Sequence, residues 1–141
     1  MKGRHQAAAA YDGAMTSQSV RSVSAVSALG RVGIGLGLLA APQIALSALG
    51  FSDSTPSTVA AARLAGVRDI VLGVTTLTVL DDPARLRAAN LANAGADAGD
   101  ALTFAMALRA GERTAGTRGL AAAIPATAAG LWAASRPSYA G

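Results

Sequence analysis

The sequence contains no cysteine, a single histidine and very few aromatic residues. Without cysteine, the chain cannot form disulfides, thiolate metal sites or a cysteine nucleophile. The one histidine, His5, lies in a polar N-terminal stretch. A histidine metal site or a Ser–His hydrolase triad is therefore not expected, and the sequence predicts no metal and no other cofactor. Aromatic residues make up 4% of the chain, too few for the core of an ordinary water-soluble domain.

Charge is also scarce. Charged residues account for 14% of the 141 residues and hydrophobic residues for 52%, whereas ordinary soluble domains are roughly 25% charged. So few charges cover the surface of a soluble protein poorly, and the composition favours an integral membrane protein of one domain over a soluble alanine-rich bundle. The arginines are scattered and not interleaved with aromatic residues, so no nucleic-acid partner is expected. The expected partners are membrane lipids, with a lipophilic small molecule and a second copy of the chain as further options.

The apolar segments predict an all-α fold, a four-helix transmembrane bundle with up-and-down topology. We assign residues 1–21 to a polar N-terminal tail and residues 22–141 to the four-helix membrane domain. The segment Ser54-Thr55-Pro56 is typical of a helix start, and Asp81-Asp82-Pro83 of the break before the next helix. Four spans place both termini on one side, and more basic residues fall on that side. This bias predicts cytoplasmic termini in what we expect to be a bacterial inner membrane.

Pro42 leaves two interpretations of the first span, because proline either kinks or ends a helix. In one, a kinked helix runs from about Arg31 to Gly50, and Arg31 lies at the cytoplasmic end. In the other, a helix runs from about Ser22 to Ala41 and a short apolar helix follows near the opposite interface. Arg31 then lies at mid-depth in the membrane and joins the polar residues described next.

Three glycines alternate along the same span. Gly33 and Gly37 form a small-xxx-small pair of the kind that lets membrane helices pack closely. With Gly35 they also resemble the spacing of a nucleotide-binding loop, but no βαβ unit surrounds them. We therefore expect a helix contact at Gly33 and Gly37.

Charged residues interrupt the middle of the second and third spans. Arg68 and Asp69 lie 15 and 14 residues before Pro83, and Asp97 lies 14 residues after it. In an antiparallel hairpin hinged near that proline, a rise of about 1.5 Å per residue brings all three to one level. Ionisable groups at that depth usually face the bundle interior and are functional candidates.

A polar stripe on the third span accompanies these charges, because its four members recur at i, i+3, i+7 and i+10 and share one helix face. They are Asn90, Asn93, Asp97 and Asp100. The catalytic candidates are Asp69, Asp97 and Asp100. The ligand-binding candidates are Arg68, Asn90, Asn93, Arg63 and Arg31.

The cluster has two interpretations. In the first, Arg68 pairs with Asp97 or Asp100, and the buried ion pair fixes the register of the helices. In the second, three carboxylates face one or two guanidiniums, so that one carboxyl is protonated or binds an ion. A protonated Asp beside an ionised Asp is an acid–base pair. We expect Asp100 to pair with Arg68 and Asp97 to be the protonated group.

The segment Gly66-Val67-Arg68-Asp69-Ile70-Val71-Leu72-Gly73, together with Arg31, Pro42 and Asp100, resembles a known pattern. It is similar to an uncharacterised family of small four-helix integral membrane proteins found in bacteria and fungi, with a Gly-x-Arg-Asp-x-x-Leu-Gly segment. The resemblance covers about residues 25–135. It implies a four-helix membrane fold, singles out Arg68, Asp69 and Asp100, and brings no known activity.

Three functional classes remain open. The first is a small polytopic membrane protein with a buried Arg/Asp cluster that binds a lipophilic small molecule or a membrane partner. The second is a membrane-embedded acid–base enzyme that opens an epoxide, isomerises or cyclises a lipophilic substrate. The third is a proton or small-solute transporter. A cavity lined by the three aspartates distinguishes the enzyme from a simple binding protein.

Overall fold

The computed structural model describes the backbone of residues 2–51 and 54–136, and the side chains from residue 15 onward within those ranges. Residues 137–141, the end of the predicted membrane domain, lie outside the described residues. Throughout the described ranges the chain is helical, with no strand, which confirms the all-α prediction. There are five helices rather than four: α1 (Lys2–Ala40), α2 (Pro42–Leu49), α3 (Pro56–Thr78), α4 (Pro83–Arg109) and α5 (Arg113–Ser135).

Pro42 accounts for the additional helix. α1 ends at Ala40, and Pro42 is the first residue of the short helix α2, as expected for a residue that restricts the backbone before it to extended conformations. The helix break of the second interpretation is confirmed, and the kinked helix from Arg31 to Gly50 is wrong; the depth of Arg31 in a membrane stays a prediction. α1 also runs from Lys2 without a break at residues 21–22, where the polar tail was predicted to end.

The starts of α3 and α4 follow their local sequence. The Thr55 hydroxyl accepts a hydrogen bond from the Thr58 backbone N–H at 3.2 Å, and a proline follows it in the first turn. At the start of α4 the Asp82 carboxylate accepts from the Arg85 backbone N–H at 3.0 Å, again before a proline. Both caps satisfy otherwise unpaired N–H groups, and the Asp82 cap also closes the tight turn between α3 and α4.

The closest helix pair on one side of the bundle is α1 with α3, and glycines allow the approach. A Cβ atom on Gly35 would lie 2.5 Å from the Gly66 carbonyl oxygen, and one on Gly73 would lie 2.6 Å from the Ala28 carbonyl oxygen. The prediction of a contact at Gly33 and Gly37 is wrong, because both positions face open space. Gly35 lies on the opposite face of α1, two residues or about 200° away.

The other close pair is α4 with α5. A Cβ on Gly116 would lie 2.7 Å from the Leu108 Cβ, and one on Gly130 would lie 3.1 Å from the Ala94 Cβ. α3 and α4 are consecutive and antiparallel, but their backbones approach less closely than those of the two glycine-lined pairs. Their hairpin is held by side chains, which are polar.

The bundle buries polar and charged side chains beside an apolar core around Leu38 and Leu46. The buried polar and charged side chains are Ser24, Arg31, Asp69, Thr76, Asn90, Asn93 and Asp97. Large hydrophobic side chains are exposed on every long helix, for example Leu64 on α3 at 72% and Ile124 on α5 at 57%. Within the described residues one helical segment, Met15–Ala40, is long and apolar enough to cross a membrane. Central charges lower the hydropathy of α3 and α4.

Candidate functional site

Five charged side chains form a continuous series of ion pairs across α1, α3 and α4. Arg31, which is buried, lies at its centre on α1. Its Nη1 donates to Asp69 Oδ1 at 2.9 Å and its Nη2 donates to Asp97 Oδ1 at 2.5 Å. Nη2 also reaches the Asn93 carbonyl oxygen at 3.3 Å. One guanidinium on α1 therefore connects a carboxylate on α3 with a carboxylate on α4.

The second half of the series is built on Arg68. Its two terminal nitrogens donate to the two oxygens of Asp100 at 2.8 and 2.7 Å, the bidentate geometry in which guanidinium and carboxylate match best. Its Nη2 also lies 3.2 Å from Asp69 Oδ1, so Asp69 links the two arginines. The predicted contact between Arg68 and Asp100 is confirmed. We call the whole series Asp97–Arg31–Asp69–Arg68–Asp100 the Arg–Asp chain.

Successive residues of the polar stripe of α4 form hydrogen bonds or ion pairs with α1 and α3 in alternation. Asn90 exchanges hydrogen bonds with the Ser24 hydroxyl of α1, at 3.0 and 3.2 Å. Asn93 donates to the Thr76 hydroxyl of α3 at 2.9 Å. The two aspartates of the stripe repeat the order, pairing first with α1 and then with α3. α4 thus lies over the groove between α1 and α3, and polar side chains fix its register against both helices.

Two members of this network, Ser24 and Thr76, were not among the sequence candidates. A signal for them exists: Ser24 precedes Arg31 by seven residues, and Thr76 follows Asp69 by seven residues. Members of the α4 stripe recur at the same seven-residue spacing, because seven residues return a helix to nearly the same face. Arg63, by contrast, is exposed on α3 and forms no ion pair with any described residue. The structure does not bring it into the cluster.

The interior of the network leaves little free space. A cavity of about 10 Å³ lies beside Asp97 and is lined by Ser27 and Asn93, among others, and about one water needs that volume. The Asn93 Oδ1 atom is buried without a hydrogen-bond partner among the described residues. This cavity is far smaller than a lipophilic substrate. On the other side, Arg68 and Asp100 are 37% and 33% exposed in the cleft between α3 and α4.

Chemically, the site joins three carboxylates to two guanidiniums, so one negative charge is in excess when all five groups are ionised. In the part of the chain that the structure describes, no cluster of three or more His, Cys, Asp or Glu side chains is placed to hold a metal ion. Comparison of the chain with protein-family models, curated proteins and solved structures finds no match. The functional argument therefore depends on the geometry of the fold and of this network.

Because the network carries one excess negative charge, we expect neutralising the two carboxylates of α4 to lower the stability by different amounts. Asp97→Asn should cost less than about 1 kcal/mol of stability, because the amide oxygen can still accept from Arg31 and Arg31 keeps Asp69. Asp100→Asn replaces half of a bidentate pair and should cost about 1–2 kcal/mol, below the value for a fully buried pair because the site is a third exposed. Thermal unfolding of both variants in one detergent measures the difference. Equal and large losses would show that both carboxylates serve as ionised structural partners only.

Proposed function

We propose that this protein is a small polytopic integral membrane protein that binds a lipophilic small molecule or a membrane partner. In the proposal, α1, α3, α4 and α5 span the bilayer, and the Arg–Asp chain ties three of them together inside it. The burial pattern carries the proposal: three charged and two amide side chains are buried, while large leucine, isoleucine and valine side chains are exposed on every long helix. In water this arrangement is unfavourable, because apolar surface remains hydrated and buried charges are desolvated. In lipid the exposed apolar side chains no longer contact water, so the first cost disappears. The cost of burying the charges also falls, because the alternative is exposure to lipid rather than to water.

The helix lengths support four spans. α3 and α5 each contain 23 residues and α4 contains 27, and about 20 residues cross the hydrocarbon core. In α1 the segment Met15–Ala40 has 26 residues. Among the described helices only this segment has the hydropathy of a typical span. Central charges lower the hydropathy of α3 and α4, and the charge-free part of α5 is rich in alanine rather than in larger apolar residues. The central charges face one another rather than the outside, which is the arrangement that membrane helices use for ionisable groups.

The distribution of arginines supports an orientation. Arg21, Arg85, Arg87 and Arg136 lie at the end of the bundle that contains the α3–α4 turn. At the other end lie Arg109, Arg113 and Arg118. With Lys2 and Arg4 at the start of the chain, the first end is the more basic, and the positive-inside rule places it, with both termini, in the cytoplasm. The resemblance to small four-helix membrane proteins agrees with this proposal.

The geometry of the site supports a binding role better than it supports acid–base catalysis by the aspartates. Every carboxylate of the Arg–Asp chain already has a guanidinium partner, and the cavity beside Asp97 has room for about one water. An enzyme acting on a lipophilic molecule needs a far larger cavity at those groups. The large apolar side chains exposed on every long helix, in contrast, are accessible from the bilayer in the proposed arrangement.

Membrane fractionation tests the proposal. The protein should sediment with membranes, resist extraction by alkaline carbonate and require detergent for solubilisation, because four apolar helices bind lipid too strongly to be released by pH or salt. A reporter that functions only in the cytoplasm should be active when it is fused to either terminus. A reporter that functions only outside the cytoplasm should be inactive at both termini. Recovery of folded protein in the soluble fraction without detergent would end the membrane proposal. An external N-terminal reporter would overturn the orientation alone.

A further inference from the structure

A second pocket opens at the end of the bundle that contains the α3–α4 turn; it is lined by none of the five residues of the Arg–Asp chain, although Asn90 of the α4 stripe reaches its inner wall. Its volume is about 190 Å³, far more than the roughly 10–15 Å³ that one water occupies. The walls come from three parts of the chain: the middle of α1, the turn with the first residues of α4, and the end of α5. The pocket therefore depends on the packing of α1, α4 and α5 against one another.

Positive charge dominates its walls. Three arginines line it, Arg21, Arg87 and Arg136, against one carboxylate, Asp81. Arg21 forms an ion pair with Asp81 across the turn, so these two charges offset one another. The guanidiniums of Arg87 and Arg136 have no carboxylate partner among the described residues. The pocket therefore carries an excess of two positive charges.

Both unmatched arginines are held in place by contacts that leave their hydrogen-bond donors available. Arg87 uses only Nε, which donates to the Ala134 carbonyl oxygen at 3.0 Å, and its terminal nitrogens have no partner among the described residues. The guanidinium of Arg136 stacks over the Trp132 ring, 4.9 Å from the ring centre, a cation–π contact that leaves the edge of the fork free. Fixing the side chains before binding lowers the entropy cost of binding.

The remaining wall is apolar. Leu80 from the turn and Leu86, which is buried at the start of α4, line the pocket beside the arginines. A ligand that fits this combination has an anionic group for the two forks and carbon atoms for the leucines. Among biological anions, a phosphoryl group best matches paired guanidinium forks, because its oxygens accept two parallel hydrogen bonds from each fork.

We propose that this pocket binds an anionic phosphoryl group, carried either by a lipid headgroup or by a soluble phosphate ester. It is a site separate from the Arg–Asp chain. The charge of the pocket does not depend on whether the helices cross a bilayer, so this inference goes beyond the proposed function, and its failure would leave that proposal intact. If the end of the bundle is cytoplasmic, the pocket opens where anionic headgroups are concentrated.

Isothermal titration of the purified full-length protein in a neutral detergent tests the inference. The probes are inorganic phosphate and dihexanoyl phosphatidic acid, with dihexanoyl phosphatidylcholine as the zwitterionic comparison. Arg87→Gln and Arg136→Gln should each weaken binding by at least about tenfold, the loss typical of one hydrogen bond to a charged group. Arg85→Gln is the matched control, because Arg85 lies in the same turn of α4 but pairs with Asp82 and does not line the pocket. Its affinity should remain within about twofold of the unchanged protein.

The two probes distinguish the sources of the phosphoryl group. Binding of both probes would identify the phosphoryl group itself as sufficient, and binding of phosphatidic acid alone would identify a lipid headgroup. Either result supports the site. Saturable binding of neither probe would overturn it. An equal loss in Arg85→Gln and Arg87→Gln would also overturn it, since that outcome indicates general attraction to a basic surface rather than binding in the pocket.

Discussion

Arg31→Leu should destabilise the protein more than any other single substitution in the Arg–Asp chain. Arg31 is buried and pairs with two carboxylates. Asp69 keeps Arg68 as a partner after the change, but Asp97 loses its one ion pair while it stays buried. Removing one partner of a buried ion pair typically costs about 3–5 kcal/mol. Unfolding by a denaturing detergent, followed by circular dichroism, measures the loss of free energy.

Arg21→Leu is the matched control for this prediction. Arg21 lies on the same helix and also pairs with an aspartate, but its side chain is 55% exposed and that of Asp81 is 84% exposed. Exposed pairs contribute about 0–1 kcal/mol, so this variant should unfold almost as the unchanged protein does. The double variant Arg31→Leu/Asp97→Asn should recover part of the lost stability, because the stranded charge is gone. Similar losses for Arg31→Leu and Arg21→Leu would contradict a central role for Arg31.

Gly35→Ala should produce the second large effect. A Cβ at this position would lie 2.5 Å from the Gly66 carbonyl oxygen and 2.7 Å from Ile70 Cγ1. The carbonyl belongs to the backbone of α3 and cannot rotate away, so α1 and α3 must separate. Overpacking of this kind typically costs about 1–3 kcal/mol. The separation should also lengthen the Arg31–Asp69 bond that joins the same two helices, so thermal stability falls further than the contact alone requires.

Gly33→Ala and Gly37→Ala provide the comparison on the same helix, two residues to either side. Nothing lies within 4 Å of a Cβ built at either position. Alanine is a better helix former than glycine by about 1 kcal/mol, so both variants should be as stable as the unchanged protein or slightly more stable. If instead they lose as much stability as Gly35→Ala, the face of α1 that contacts α3 has been assigned wrongly.

These predictions depend on details that the sequence determines to different degrees. Counting residues on either side of Pro83 brings Arg68 and Asp69 to the level of Asp97, because helical rise is constant and the turn is short. The count alone does not select Asp100, which lies 17 residues after Pro83, as the partner of Arg68. The α4 stripe follows from the constant helical periodicity. Neither argument uses side-chain packing, which is why both could be made without the structure.

The place of Arg31 could not be decided from the sequence, because Pro42 permits either a kink or the end of a helix. The end of α1 at Ala40 resolves the choice and puts Arg31 between Asp69 and Asp97. The packing glycine was missed for a related reason. Large apolar residues lie on both faces of this part of α1, since Leu38 is buried and Ile34 is exposed, so spacing alone could not distinguish Gly33 from Gly35.

Which helices pack most closely against one another could also not be predicted from the sequence. The short turn predicts that α3 and α4 are antiparallel neighbours, but it does not indicate which helix pairs pack most closely. The closest approaches are α1 with α3 and α4 with α5, because the glycines that permit contact at the backbone lie on those faces. Chain connectivity sets which helices are near neighbours, whereas side-chain volume sets which pairs touch most closely.

The central claim, that the exposed apolar faces of the helices lie in lipid, is tested most directly by thiol labelling in intact membranes. The chain has no cysteine, so single cysteines can replace exposed residues near the middle of three helices: Val71, Leu102 and Ile124. Asp81 and Glu112, exposed at the two ends of the bundle, are the matched positions. The account predicts that a membrane-impermeant maleimide, added to membranes opened to both sides, labels cysteines only at the two ends until the membrane is dissolved in SDS. Equally rapid labelling at all five positions before SDS is added would contradict it.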